Sequence, residues 1–433
     1  MKSTDAITHL SHIEDLAIEQ GHEGVSLLEN IIDELCKYIK GAETDLKINM
    51  KVDGAPALYF GIDPRSGKKR RFFVTTKSDM NSSNPILPYN LSQIKKKFYD
   101  PNDTSKLSLY KKICSIYRLL EPVYSKLKTD LIYECDMLYI TESKHIKGDV
   151  ISYQPQLIRY DVKPTDSIYK RVVKSKAGIC VHSCFVGEPL DSKINLKLHS
   201  RDVNHIVNIA TNSDIFIQSS NYRRINFRNS IKDASNLFTD LKNLLLVCQY
   251  NIEPTRKVFS RDCFKNNFFK YIRMFINDQV KNTEKLLSYN FYKTGLNNFE
   301  YNHDKAYDCF SEFLNNRWYK DIRGKKTRGI ENTRRRYDDF LETFKTLEFQ
   351  KMMRCTHIMI YIKQILLDIF KNVNSKIGTP YIPDENGEYT RCGLDVGMKN
   401  GEGFALFLGN QGVKVVDRLD FSAKNLTYGK FQT

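Results

Sequence analysis

The stretch Lys51-Val52-Asp53-Gly54-Ala55-Pro56-Ala57-Leu58-Tyr59-Phe60 constrains this chain more than any other. Ahead of it Leu46, Ile48 and Met50 alternate with polar residues at the strand period of two. Gly54 supplies a permissive backbone, and Pro56 cannot sit inside a central ladder, so the chain must turn here. Leu58-Tyr59-Phe60 then resumes an apolar strand. A lysine that ends a strand beside such a corner is aimed by the sheet. Where other cations are near and water is partly excluded, its amine can lose a proton and act as a nucleophile. The plainer alternative is a surface lysine before a β-turn, because Lys-x-Asp-Gly is a short pattern.

A chain of 433 residues suggests two or three domains, and its 41% hydrophobic content allows a real core. The net charge is +16, from 67 Lys+Arg against 51 Asp+Glu. That excess favours a polyanionic partner, nucleic acid first, although a merely soluble basic protein has the same balance. The ten cysteines form no C-x-x-C pair, and the N-terminus carries no signal pattern. Both point to free thiols in a reducing cytoplasm rather than to a disulfide or zinc framework. The longest apolar run, Ile358 to Phe370, is interrupted by Lys363 and Asp368, so no membrane span is expected.

Residues 5–40 predict two helices. Leu10, Ile13, Leu16 and Ala17 form one stripe, Gly21 and Gly24 break it, and Val25, Leu27, Leu28, Ile31, Ile32, Leu35 and Ile39 form the next. His9 and His12 share a helix face as metal ligands do, but no third ligand is near. A polar face packed beside the first domain explains them as well. After the corner, Ile62 to Gly67 is a turn and Arg70 to Thr76 a strand that ends at Lys77-Ser78. Residues 80–105 predict a loop with one short helix, and Tyr110 to Lys126 an amphipathic helix.

Asp130 to Tyr139 reads as a strand with Glu134 and Asp136 on one face. Two carboxylates at i and i+2 on a buried strand repel, a cost best tolerated under a cation or metal; the alternative is a solvated edge strand. Ile151 to Val162 and Gly178 to Gly187 predict further strands, with a basic helix at Ser167 to Ala177 between them. From about 200 to 380 helical spacing dominates, at 230–250, 260–289, 303–319 and 331–373, with one more strand at Ile215-Phe216-Ile217. This part carries Arg317, Lys320, Arg323, Lys325, Lys326, Arg328, Arg334, Arg335 and Arg336, interleaved with Trp318, Tyr319 and Tyr337. Cations meet phosphates and aromatics stack on unpaired bases, but an exposed basic helix end is the competing reading. The last fifty residues return to strands: Phe404 to Leu408, a turn at Gly409 to Gly412, and Val413 to Arg418.

Lys51-Val52-Asp53-Gly54 resembles motif I of the covalent nucleotidyltransferases, the superfamily of DNA ligases, RNA ligases and capping enzymes. The resemblance covers roughly residues 46–200 and 390–425. Thr75-Thr76-Lys77-Ser78 resembles motif Ia, Glu134 to Asp136 motif III, Gly178 to Gly187 motif IIIa, Gly401-Glu402-Gly403 motif IV, and Lys414 to Arg418 motif V. The wording Asp-Gly-Ala-Pro-Ala, with the later Val-Asp-Arg and Phe-Ser, is most similar to a family of uncharacterised phage ligase-like proteins. Two departures stand out. Pro56 occupies the position where many ligases place an arginine, leaving that contact to Lys77 or to nothing, and the motif V lysine pair is reduced to Lys414, with Arg418 as a second cation.

The resemblance implies an α+β nucleotidyltransferase fold of antiparallel sheets with a large inserted helical domain. Residues 1–200 and 381–433 would form the transferase domain and 201–380 the insert. It implies ATP and Mg2+ (or Mn2+) as cofactors and a lysyl-AMP intermediate on Lys51, served by Asp53, Lys414 and Arg418. Met50, Val52, Lys77, Glu134, Glu402, Lys414 and an aromatic, Phe185 or Tyr160, would meet the nucleotide. Glu134, Asp136 and Glu402 would hold the metal. The basic run, Arg323, Lys325, Lys326, Arg328, Arg334, Arg335 and Arg336 above all, would grip nucleic acid. The short stretch after Phe421-Ser422 leaves no room for the C-terminal domain of DNA ligases and capping enzymes, which favours RNA over DNA. The expected activity is ATP-dependent joining of 5′-phosphate and 3′-hydroxyl ends, in the host cytoplasm if the chain is phage-encoded. An adenylyltransferase for another acceptor, or a catalytically silent nucleic-acid-binding module, is the alternative.

Overall fold

The computed structural model describes residues 10–127, 129–225, 227, 235–252, 267–281, 303–370, 373, 375–383, 388–392 and 403–417. In chain order the strands are β1 (Ser11–His12), β2 (Lys47–Met50), β3 (Ala57–Ile62), β4 (Phe72–Thr76), β5 (Ile132–Ile140), β6 (Lys144–Lys147), β7 (Val150–Tyr153) and β8 (Arg159–Val162). They continue with β9 (Ala177–Leu190), β10 (Lys193–Ser200), β11 (Ile215–Ser219), β12 (Asn221–Tyr222), β13 (Thr379–Pro383), β14 (Tyr389–Arg391), β15 (Phe404–Leu408) and β16 (Gln411–Val415). The alternating stretches before Lys51 and after Gly403 meet in one sheet, ordered β1-β16-β15-β2-β12. A second sheet runs β10-β9-β5-β3-β4 with β11 beside β9, and a third runs β14-β13-β8-β7-β6. Pairing is antiparallel except for β1 on β16 and β11 on β9. The fold is thus α+β, as expected.

Each sheet buries a face dictated by its period of two. In the first, Ile48, Leu406, Val413 and Val415 join one core with the helix His22–Ile39 and the helices beyond residue 235. In the second, Leu58, Phe60, Val74, Tyr133, Cys135 and Met137 pack against Ile113, Ile116, Tyr117 and Leu120 of the helix Thr104–Leu127. Met50, Val52, Tyr139, Tyr153 and Tyr160 close a third core against the last sheet. No described helix is long and apolar enough to cross a membrane. The nine described cysteines are free.

Several expectations shift. Residues 5–9 lie outside the described residues, and the expected first helix does not run through 10–15: Ser11–His12 is a strand, Ile13–Asp15 a 3₁₀ turn, and the first described α-helix is Leu16–Gln20. His12 therefore lies on a sheet edge rather than a helix face, and His9 lies outside the described residues. Only Gly21 breaks the helices; Gly24 sits inside His22–Ile39, where a Cβ would lie 2.4 Å from the Leu16 carbonyl oxygen. The strand expected at Ile215-Phe216-Ile217 is present as β11, and two further strands past residue 200 were not expected: β12 completes the first sheet and β13 pairs with β8. The helices of the insert are Ser235–Ile252, Phe268–Lys281, His303–Ile322, Thr327–Phe344 and Leu347–Ile369. The run expected at 331–373 divides at Thr346, whose side chain caps the last helix by accepting from the Phe349 N–H.

A buried ion pair ties the N-terminal segment to this helical layer. Lys363 Nζ lies 2.7 Å from Glu14 Oε1, with side chains 0% and 4% exposed. Charges so deeply placed need each other, because neither is compensated by water. Lys363→Met should cost about 3–5 kcal/mol in urea unfolding, and adding Glu14→Gln should recover most of that loss. Equal stability of Lys363→Met and the parent would show that water reaches the pair.

Candidate active site

The corner after β2 is locked from two directions. The Lys51 N–H donates to the Gly403 carbonyl (3.0 Å), and the Met137 N–H of β5 donates to the Pro56 carbonyl (3.2 Å). The Ala55–Pro56 bond is cis. Gly54 abuts β5 so closely that a Cβ would stand 2.3 Å from the Met137 carbonyl oxygen and 2.8 Å from Asp136 Cβ. Gly403 has φ +79°, and a Cβ there would meet the Val415 carbonyl oxygen at 2.2 Å. Both glycines are required by contact, so the corner, β5 and β15 hold one another in place. Lys51 and Asp53 pair at the mouth of this corner.

The register then explains which separated stretches meet. Phe404 is opposite Met50 and Ala405 opposite Asn49, while Lys414 is opposite Ala405 and, across the parallel edge, opposite His12. The residues at 50, 404 and 414 thus share one sheet. Lys414, Ala405, Phe407 and Asn49 occupy the face turned from the helical core. Asn49 Nδ2 reaches Ser220 Oγ (3.1 Å) and Asn221 Nδ2 reaches Asn49 Oδ1 (3.0 Å), a polar seam on that face. Beside Lys51 opens a small pocket of about 30 Å³ lined by Met50, Lys51, Ile158, Tyr160, Tyr222, Val373, Ser375, Pro380, Gly403 and Phe404. Lys376 lies under it, donating to the carbonyls of Ser219 (2.6 Å) and Asn221 (2.8 Å); burial lowers its pKa.

On β5, Glu134 and Asp136 face the same way, as expected, and each has a basic side chain of the chain as its partner. Lys77 Nζ is 2.6 Å from Glu134 Oε1, and His182 Nε2 is 3.1 Å from Asp136 Oδ2. Burial pulls the His182 pKa down, but its hydrogen bond to Asp136 and the charges of Asp136 and Glu134 win, leaving it raised; Lys77 opposes them. The repulsion between the two carboxylates is thus relieved within the chain. Among the described residues no group of three or more His, Cys, Asp or Glu is arranged to hold a metal ion. Glu402 and Arg418 lie outside the described residues.

Phe185 does not line the Lys51 pocket. It is buried with Tyr59, Phe73, Ile132 and Leu196, its ring 6.2 Å from that of Tyr59, because it stands opposite Ile132 at the apolar end of β5. Tyr160 and Tyr222 are the tyrosines of the pocket. Val52 is 3% exposed and packs into the third core, a wall rather than a contact. Sequence reasoning passed over Tyr222, Lys112, His182 and Arg201. Lys112 is half-buried on its helix, donates to the Ala55 carbonyl (3.2 Å) and has its pKa lowered by burial. Helical spacing had marked only the apolar face of that helix, and nothing in the sequence said that the opposite face meets the corner.

The basic run divides into two sets. Arg317 and Arg336 are not unmatched: both flank Asp321, at 3.6 and 3.8 Å, and Tyr337 Oη donates to the same carboxylate at 2.7 Å. Tyr337 is 5% exposed, and Trp318 packs against it. Lys325 donates to Thr333 Oγ1 (2.8 Å) yet remains exposed. Arg323, Lys326, Arg328, Arg334 and Arg335 are exposed around the Gly324 turn, and Tyr319, 78% exposed, stands near them in sequence.

Gly54→Ala should move the corner off β5, because the clash is with backbone. We expect a loss of about 1–3 kcal/mol in chemical denaturation. A midpoint equal to the parent's would mean that the corner can shift freely.

No curated protein and no solved structure gives a match to the chain. The sequence signature of one family does match, over residues 7–430, and so spans both halves of this site and the helical layer between them. The chain therefore belongs to a family of unknown function, DUF6267.

Proposed function

We propose that the chain is an ATP-dependent polynucleotide ligase, acting on RNA rather than DNA, that works through a lysyl-AMP intermediate on Lys51. One observation carries this reading. Lys51, Gly403 and Lys414 lie far apart in sequence, yet β2, β15 and β16 are adjacent strands, with the Lys51 N–H on the Gly403 carbonyl. Tyr160 and Tyr222 line the pocket beside Lys51, and in this reading one of them stacks on the base as the nucleotide widens the pocket.

In this reading the Lys51 amine, freed of its proton, attacks the α-phosphorus of ATP. An N–P bond forms and pyrophosphate leaves. The adenylate then passes to a 5′-phosphate, and a 3′-hydroxyl displaces AMP. Asp53, paired with Lys51, is placed to take the proton as nucleotide binding loosens the pair. Lys414, on the cleft face, would offset phosphate charge. Glu134 and Asp136 supply the hard oxygens that Mg2+ or Mn2+ prefers, and binding there would displace Lys77 and His182 from them. When bound, the ion would polarise phosphate oxygens.

The same ion pairs favour a second reading. Lys51, Glu134 and Asp136 are each neutralised by a neighbour, as they would be in a nucleic-acid-binding module without catalysis. Incubation with α-labelled ATP separates the two. The parent should acquire acid-stable label and Lys51→Ala none, with little change in stability, since Lys51 fills no core. Absence of label on the parent would remove the ligase reading.

The exposed cations beside the Gly324 turn supply the surface for the polynucleotide. Arg336 belongs to the Asp321 network, so the informative variant neutralises Arg328, Arg334 and Arg335 and leaves Arg336 alone. Self-labelling should persist. RNA binding should weaken, and its log–log salt slope should flatten by about one unit for each phosphate that is no longer neutralised. Equal slopes in variant and parent would leave this surface with no part in binding.

A further inference from the structure

Arg201 differs from Lys51, Lys77 and His182 in having no carboxylate. Lys77 has Glu134, His182 has Asp136 and Lys51 has Asp53. Asp202, next to Arg201 in sequence, is turned instead to Arg223 (3.1 Å) and to the Asn204 N–H (3.0 Å). The Arg201 guanidinium carbon lies 3.5 Å from the Phe407 ring centroid, and its Nη1 reaches Ser183 Oγ only at 3.4 Å. Its Nε is buried without a hydrogen-bond partner. Among the described residues Arg201 forms no ion pair. Burial lowers its pKa to about 10, against the raising pull of Glu134. A largely desolvated charge with one long hydrogen bond is costly, and the fold could have avoided it with an apolar side chain.

The surroundings are built to hold that guanidinium still. Phe407 is buried on the face turned from the helical core, and a Cβ on its register partner Gly412 would stand 2.4 Å from the ring, so the ring lies close over β16. Stacking fixes the plane of the guanidinium and leaves its N–H edge to point at an anion. Ser183, on the other wall, stands opposite Glu134. Lys47, opposite Phe407 on β2, is exposed, and Lys414 shares the face of Phe407.

We propose that Arg201 anchors a phosphate group entering the cleft between the first and second sheets, gripping two of its oxygens with a guanidinium stacked on Phe407. The phosphate belongs either to the pyrophosphate end of ATP or to the 5′-phosphate of an acceptor strand. This choice of sources rests on the transferase reading above; the anchor itself does not.

The test compares the parent with Arg201→Met and Arg201→Lys. Inorganic pyrophosphate is titrated calorimetrically, oligoribonucleotides of one sequence with 5′-phosphate or 5′-hydroxyl ends are bound in parallel, and the ligand-free melting midpoint is recorded. Arg201→Met should weaken one probe about ten- to a hundred-fold, as removal of charge-assisted hydrogen bonds does, and Arg201→Lys less. The ligand-free midpoint of Arg201→Met should equal or exceed the parent's, because an uncompensated charge has gone. A weakening confined to pyrophosphate assigns the nucleotide end, and one confined to the 5′-phosphate preference assigns the acceptor end. Unchanged binding of both probes, no binding by the parent, or failure of Arg201→Met to fold would overturn the anchor, the last making Arg201 a strut. Arg201-dependent binding without label on Lys51 would sink the transferase reading alone. Label on Lys51 with Arg201-independent binding would sink the anchor alone.

Discussion

The contact of the residue 51–56 corner with two other strands is the constraint on which the site depends. Gly54 lies against the β5 backbone and the Lys51 N–H is bonded to Gly403. Together these contacts settle where a lysine at the end of β2 stands relative to the β5 carboxylates and to the strand that follows Gly403. A Cβ on Gly54 would meet the β5 backbone and one on Gly403 the Val415 carbonyl, so the position is set by backbone packing rather than by side-chain preference. Backbone contact of this kind is stiffer than a salt bridge and is not screened by salt.

Around that corner the electrostatics are organised by internal pairing. Half-buried carboxylates at 134 and 136 would repel across one face of a strand, and the chain answers with Lys77 from the end of β4 and His182 from β9. The pairs make the cleft stable without a ligand, and they also mean that any ligand must compete with them. Arg201 is the contrast, a cation kept in place by an aromatic ring instead of an anion. A protein at its stability optimum would not keep that arrangement, and departures of this kind concentrate where function demands them.

Much of this was legible in the sequence. Period-two alternation located β2 and β4, apolar runs located β3, β9 and β15, the paired carboxylates marked β5, and the turn expected at Gly409 to Gly412 located the last hairpin, although β16 already begins at Gln411. The prominence of Lys51, and the shared face of Glu134 and Asp136, followed from local pattern. Other features depended on packing that no local pattern encodes. Ser11–His12 looked helical from its apolar spacing, but the open edge of β16 took it as a strand. Phe185 and Tyr160 were equal candidates because both are aromatics in strands. Only the register, which sets Phe185 opposite Ile132 and Tyr160 opposite Pro380 beside Lys51, separates them. Arg336 read as part of a charged run, whereas a tertiary contact gives it to Asp321.

The order of strands in the first sheet has a consequence for the newly made chain. Ser11 pairs with Val413 and Ile48 with Leu406, so the sheet joins the two ends of the described sequence. Contacts of such separation close late and slowly, since the loop entropy of hundreds of residues must be met first. The second sheet, whose strands all lie between residues 57 and 219, has no such delay. During synthesis the carboxylate strand can therefore fold before β15, the partner of β2, has emerged. Until then the apolar face of β2 has only the helices to cover it, and chaperone or protease access during synthesis should concentrate on that strand.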